Sequence, residues 1–211
     1  MAGSEAIIYI IDDDAAVRDS LASLISTMEM NAKTFSSAEE FLAAFDPSRH
    51  GCVVTDVRML GMSGLDLQDH LSARGIEIPI IIVTAHADVR VAVRAMRGGA
   101  VILLEKPCRD QELWDAICEA LALDAKTRDK HARRDDILAR AAKLTRGERQ
   151  VMELLVAGKA NKVMAKELGV SVRTVEARRQ NIFKKLQVSS VAEVVQLASE
   201  VPVGERIGVK R

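Results

Sequence analysis

A chain of 211 residues, 48% of them hydrophobic, is long enough for one large or two small domains with real cores. Aromatic residues make up only 3%, so those cores must be built from Ile, Val, Leu, Met and Ala, and an aromatic-lined pocket for a large planar ligand is disfavoured. The formal net charge of zero conceals a polarity: residues 1–123 carry 10 Lys/Arg against 19 Asp/Glu, residues 124–143 carry 7 against 4, and residues 144–211 carry 13 against 7, which directs the basic end toward nucleic acid.

Short apolar runs rich in β-branched residues occur at Ile7–Ile11, Cys52–Thr55, Ile80–Thr84 and Val101–Leu104, with a weaker one over Ala32–Phe35. Runs of this kind read as strands buried on both faces of a parallel sheet. Helical spacing separates them. Val17, Leu21, Leu24, Ile25 and Met28 mark one helix face, and Ser37 with Glu40 is a capping box opening a helix through Phe41, Leu42 and Phe45. Gly64–Leu71 and Asp88–Met96 supply two more helices, and a last one starts near Asp110 and runs through Leu113, Ile117 and Leu121. Five successive βα units predict a doubly wound, flavodoxin-like α/β domain over residues 1–123, with strand order 2-1-3-4-5.

Residues 124–143 are highly charged, free of Gly and Pro, and rich in helix formers. They read as a helical linker, its continuity with the preceding helix left open. From Leu144 the pattern is helical only. Thr145 and Glu148 form a second capping box, Gly158 and Gly169 end successive helices, Ser171 caps a third, and Val191–Leu197 begins a fourth. Two short helices joined by a Gly-containing turn are the helix-turn-helix layout, so residues 144–211 are expected to form an all-α DNA-binding domain, frayed from Pro202 onward. No basic-then-apolar leader opens the chain and no apolar run approaches the ~18 residues of a membrane span, so a soluble cytoplasmic protein without membrane contact is expected. Cys52, Cys108 and Cys118 lie far apart with no C-x-x-C spacing, which suits free thiols in a reducing compartment.

The chemistry concentrates at the predicted strand ends. Asp12, Asp13 and Asp14 follow the first strand, Asp56 the third, Thr84 ends the fourth and Lys106 follows the fifth. Ligands of an open α/β sheet bind outside the carboxyl ends of the strands at the switch in strand order, so Asp12, Asp13 and Asp56 should converge. Clustered carboxylates call for a hard cation, for which Mg²⁺ with oxygen ligands is the natural choice. A carboxylate can also accept a phosphoryl group as a nucleophile, with Lys⁺ and a hydroxyl neutralising the phosphoryl oxygens. Asp14 reads equally well as a helix cap.

The segments Ile-Asp-Asp-Asp (11–14), Thr-Asp-Val-Arg-Met-x-x-Met-Ser-Gly (55–64), Val-Thr-Ala-His (83–86) and Glu-Lys-Pro (105–107) resemble those of response-regulator receivers over roughly residues 5–123. That resemblance implies that Asp56 takes a phosphoryl group from a sensor histidine kinase. It implies that Asp13, Asp56 and the Arg58 carbonyl bind Mg²⁺ directly and Asp12 through water, that Thr84 and Lys106 contact the phosphoryl group, and that the Lys106–Pro107 bond is cis. Two positions depart from the family: Leu60 stands where Pro is usual, and Leu103, at the switch position of the fifth strand, stands where Phe or Tyr is usual. A phosphatase working through an aspartyl-phosphate would want a carboxylate two residues beyond Asp56, where Arg58 stands. A regulator that binds its partner regardless of phosphate is the other alternative.

The third C-terminal helix carries Arg173, Arg178, Arg179, Lys184 and Lys185 among Val175, Ile182 and Leu186 at helical spacing, a cationic face suited to a groove of DNA. Residues 144–199 resemble the DNA-binding domain of the FixJ/NarL/LuxR group through Leu-Thr-x-x-Glu-Arg (144–149), Gly-x-x-Asn-Lys (158–162), Ser-x-x-Thr-Val-Glu (171–176) and Asn-Ile-x-x-Lys-Leu (181–186), leaning to the FixJ branch. The resemblance implies promoter DNA as partner, RNA polymerase as a further one, and Lys162, Thr174, Val175, Arg178, Arg179 and Lys185 as DNA contacts, with a wholly core place for Val175 as the alternative. In the first domain, Arg90, Arg94 and Arg97 form a basic stripe and Glu112, Asp115 and Glu119 an acidic one, which can pair across a twofold axis in a homodimer promoted by phosphorylation.

Overall fold

The structure, a computed structural model, describes residues 6–200. The tail expected to fray from Pro202, and the outer ends of the two predicted domains, lie outside the described residues. The chain divides into two compact units, the first ending at Arg128 and the second beginning at Asp129.

The first unit is built on five parallel strands, β1 (Ile7–Ile11), β2 (Asn31–Phe35), β3 (Gly51–Thr55), β4 (Ile80–Thr84) and β5 (Ile102–Glu105), in the order 2-1-3-4-5. Continuous apolar runs make β1, β3 and β4 buried along their whole length. Alternation then divides their side chains between two cores. Ile7, Tyr9, Ile11, Val53 and Ile82 pack with α2 (Ala38–Ala44), α3 (Gly64–Ala73) and α4 (Val89–Arg97). Ile8, Ile10, Val54, Ile81 and Val83 pack with α1 (Ala15–Thr27) and with Leu113, Ala116, Ile117 and Ala120 of α5 (Asp110–Ala142). Four aromatic rings gather on the first face, where Phe41 is fully buried with its centroid 5.4 Å from Tyr9, 5.5 Å from Phe35 and 4.9 Å from Phe45.

Residues 124–142 are helical and continuous with the preceding helix, the alternative that the sequence left open. They lie within α5 up to Ala142, and their ends belong to different units. Asp124 is buried in the first unit, where it accepts from His50 and Arg128 and from the Gly51 N–H at 3.2 Å. Ala141 packs in the core of the second. A charged surface with helix-forming composition hides this division, because Ile137 and Ala141 are too few to show an apolar stripe.

The second unit packs α6 (Arg146–Val156), α7 (Asn161–Leu168), α8 (Val172–Leu186) and α9 (Val191–Glu200) around Val151, Leu155, Met164, Val175, Ile182 and Leu186. The turn between α7 and α8 depends on Gly169, whose φ of 64° is a left-handed conformation that costs a residue with a Cβ more than it costs glycine. Ser171 then caps α8 by accepting from the Thr174 N–H at 3.1 Å. No helix among the described residues is long and apolar enough to cross a membrane. Cys52, Cys108 and Cys118 are free thiols; burial pushes the Cys52 thiol up to about 12, whereas Cys118 is exposed.

Glu148 closes the capping box of α6 and does more. Its carboxylate accepts from the Thr145 N–H at 2.7 Å and from Lys185 Nζ of α8 at 2.6 Å while the residue is buried. Burial works to raise its pKa, but the hydrogen bonds from Lys185 and Thr145 outweigh it and hold the group below the ordinary carboxylate range. A lowered folded pKa contributes stability that is complete above the unfolded value and is lost as pH falls through the folded one. The second unit is therefore expected to lose stability below about pH 4.3. Glu148→Gln should flatten that loss and cost about 1–2 kcal/mol at neutral pH. Chemical denaturation of both proteins across the acid range checks it.

Candidate functional site

Strand register assembles the acidic site. Ile11 of β1 is level with Thr55 of β3, so the next residues, Asp12 and Asp56, leave the sheet side by side, and the Asp56 N–H donates to the Ile11 carbonyl at 3.1 Å. The Asp12 N–H donates to the Phe35 carbonyl of β2 at 3.2 Å. On the other side, Thr84 of β4 is level with Glu105 of β5, and the Lys106 N–H donates to the Thr84 carbonyl at 2.9 Å. The Lys106–Pro107 bond is cis, as the resemblance implies.

Lys106 Nζ bridges the two strand ends, donating to Asp12 Oδ2 at 2.6 Å and to Asp56 Oδ2 at 2.9 Å. Asp12 is 2% exposed, and its other oxygen accepts from the Asp14 N–H at 2.9 Å. Burial works to lower the Lys106 pKa, but the hydrogen bonds and charges of Asp12 and Asp56 outweigh it and leave it raised, so the side chain is cationic at neutral pH. The loop from β3 to α3 supplies amides to the same cluster. The Arg58 N–H donates to Asp56 Oδ1 at 3.2 Å, and the Leu60 N–H donates to Asp13 Oδ2 at 3.0 Å. Asp14 is the N-cap of α1, accepting from the Ala16 N–H at 2.8 Å, and Asp13 remains exposed. Thr84 is 1% exposed, with its Oγ1 accepting from the His86 N–H at 3.4 Å.

Asp12, Asp13, Asp56 and Lys106 therefore belong to one connected constellation, with Thr84 joined to it through the Lys106 backbone. Two participants carried no role in the sequence reading. Arg18 of α1 donates to the Asp12 carbonyl at 2.6 Å. Gly64 lets α3 approach the end of β3, because a Cβ there would lie 2.1 Å from the Asp56 carbonyl oxygen. The Ser63–Gly64 pair directly before an apolar helix pattern was the available signal for Gly64; Arg18 gave none beyond its spacing from Asp14.

The donor set suits a hard cation: carboxylates on two strand ends with the Arg58 carbonyl in the adjoining loop. Among the described residues, however, no three His, Cys, Asp or Glu side chains stand ready as a metal cluster. Lys106 Nζ lies between Asp12 and Asp56, and Asp13 is turned to the Leu60 amide. The residue types fit Mg²⁺, while the positions are those of a cluster neutralised by lysine.

On the second unit, Lys162, Arg173 and Lys184 are exposed, and Arg178 is half-buried against Gly147 of α6. Val175 is the correction among the expected DNA contacts: it is fully buried in the core, because its position on α8 matches the inward stripe of Ile182 and Leu186 rather than the cationic face. Lys185 is held by Glu148 and Arg179 by Asn161, so both anchor α8 to neighbouring helices. Thr174 Oγ1 is 2.8 Å from Ser171 Oγ at the start of α8. On the first unit, Arg90, Arg94 and Arg97 are all exposed, and Arg94 also donates to Asp66 at 2.7 Å and Asp69 at 2.8 Å of α3. Glu112, Asp115 and Glu119 are exposed on α5, with Asp115 accepting from Gln111. Leu103 is half-buried against the α2–α3–α4 core.

Comparison with known proteins matches residues 8–118 to the response regulator receiver domain and residues 142–198 to the bacterial regulatory proteins of the luxR family. The chain is 44% identical over 191 residues to the transcriptional regulatory protein FixJ of Bradyrhizobium diazoefficiens, covering 90% of this chain and 93% of that one. It is 41% identical over 193 residues to the transcriptional regulatory protein TdiR of Thauera aromatica, covering 92% and 85%. Among solved structures, the response regulator StyR superposes with a TM-score of 0.83 at 40% identity, over 93% of this chain and 99% of that one.

Proposed function

The chain belongs to the two-component response regulators, as a transcription regulator that joins a receiver to a LuxR-type DNA-binding domain, and we propose that Asp56 is the phosphoacceptor whose state sets the affinity of α8 for promoter DNA. The observation that carries this reading is the bridge from Lys106 to Asp12 and Asp56, which places a permanent cation beside one carboxylate that protrudes from the sheet. An Asp56 oxygen attacks phosphorus on the kinase's phosphohistidine. The P–N bond breaks, its electron pair leaves with the imidazole, and an acyl phosphate forms. Lys106 passes from the carboxylates to a phosphoryl oxygen, and the Thr84 hydroxyl donates to another. Asp12, Asp13, Asp56 and the Arg58 carbonyl would hold Mg²⁺, which when bound neutralises charge on the transferring group. Water then attacks the same phosphorus, the acyl O–P bond breaks with its electron pair returning to the Asp56 carboxylate, and inorganic phosphate leaves, which is self-dephosphorylation at the same site.

On the DNA side, Lys162, Thr174, Arg178 and Arg179 are the proposed contacts, joined by exposed Arg173 and Lys184, and they confer salt-dependent affinity through phosphates. Lys185 acts through its hold on α8. Phosphorylation is proposed to favour a homodimer through α4 and α5, using Arg90 and Arg97 against Glu112, Asp115 and Glu119, with Arg94 reserved for its clasp on α3. Each exposed pair contributes only about 0–1 kcal/mol, so they select the partner face rather than drive assembly. The protein works in the cytoplasm, where promoter DNA and RNA polymerase are its partners.

Intact-mass measurement after incubation with a small phosphodonor and Mg²⁺ tests the acceptor. Wild type should gain one phosphoryl group per chain and Asp56→Asn none; equal labelling of the two would overturn the assignment.

A further inference from the structure

The two amides that the β3–α3 loop gives to the acidic cluster are unlike in kind. Arg58 donates to Asp56, two residues away in the same loop, whereas Leu60 donates to Asp13 at 3.0 Å across 47 residues of sequence. The Leu60 side chain takes no part in this, being 81% exposed. The contact is therefore made by the backbone N–H, and any residue except proline can make it.

We infer that the Leu60 amide is a tether that holds the Asp13 carboxylate against the β3–α3 loop and thereby weakens Mg²⁺ binding at the site. This rests on the Mg²⁺ reading above. A carboxylate has about four lone-pair sites, so one amide does not block a cation outright. Mg²⁺ demands near-ideal octahedral geometry, however, and a carboxylate already fixed by a loop must either turn away from that loop or carry it along. The N–H also carries partial positive charge, which competes with the cation for the same oxygen. Lys106 competes in the same sense at Asp12 and Asp56, so each carboxylate of the cluster has a donor from the chain itself. Residue 60 thus becomes a determinant of metal affinity through the presence of its N–H, independent of what side chain stands there.

Calorimetric titration of Mg²⁺ into the full chain, with Leu60→Pro and Leu60→Ala beside wild type, tests the tether. Leu60→Pro, which lacks the donor, should bind Mg²⁺ about 2- to 10-fold more tightly, the scale of one net hydrogen bond. Leu60→Ala, which keeps the donor, should bind as wild type does. Unchanged or weaker binding by Leu60→Pro overturns the inference, since the amide would then be idle or would orient Asp13 for the cation. A shift in Leu60→Ala equal to that in Leu60→Pro also overturns it, by assigning the effect to the side chain. Amide exchange in wild type keeps the test open should the proline variant fail to fold: the Leu60 amide should be protected without metal and exchange faster with Mg²⁺, and fast exchange in both states counts against the tether. Absence of Mg²⁺ binding by wild type overturns the metal site itself, an outcome distinct from equal binding by wild type and Leu60→Pro.

Discussion

Lys106→Met is expected to cost the metal-free chain about 3 kcal/mol of stability, because it leaves buried carboxylates without their countercharge. The side chain of Asp12 is 3% exposed and that of Asp56 13%, so water replaces the lost ammonium poorly. On the proposed Mg²⁺ site, millimolar Mg²⁺ would supply positive charge to the same oxygens in the folded state alone, so it should return much of the loss. The predicted result is a larger Mg²⁺-dependent stabilisation in Lys106→Met than in wild type, read from urea unfolding with and without the cation. Equal stabilisation of the two proteins would contradict the competition between lysine and cation. The variant should also fail to convert phosphorylation into tighter DNA binding, since no cation of the chain then follows the phosphoryl oxygen.

The second large effect concerns packing. Phe41→Ala removes a fully buried ring from a cluster of four and should cost the receiver about 3–5 kcal/mol. Against a total stability of about 5–15 kcal/mol this is a large share. For a domain of this size it corresponds to a fall in melting temperature of about 10–20 °C. The second unit has its own core of Val151, Met164, Val175 and Ile182, so its unfolding should stay in place. Calorimetry of the full chain should show one transition displaced and one unmoved; a common shift of both would contradict independent cores.

The fold was legible where hydrophobic period is unambiguous. β1, β3 and β4 are buried on both faces and were visible as continuous apolar runs, and their carboxyl ends located Asp12, Asp13, Asp56 and Thr84 without any contact being known. Element ends were less so: β5 extends through Glu105 rather than ending at Leu104, because strand pairing with Thr84 outweighs the polarity of the glutamate. Val175 was legible as core from its spacing with Ile182 and Leu186, and its burial decides against the DNA contact. Two features were hidden for identifiable reasons. Arg94 belongs by spacing to a surface stripe, but α3 brings Asp66 and Asp69 within reach of it. The Leu60 amide has no side-chain signature at all, since a backbone donor is common to every residue but proline.

The central claim is tested most directly by the affinity of the full chain for a DNA fragment selected from genomic DNA, measured by fluorescence anisotropy with and without a phosphodonor. Phosphorylated wild type should bind about 5- to 150-fold more tightly than the unphosphorylated chain, the usual range of coupling between two sites, and Asp56→Asn should show no such gain. Identical binding curves for phosphorylated and unphosphorylated wild type would contradict it.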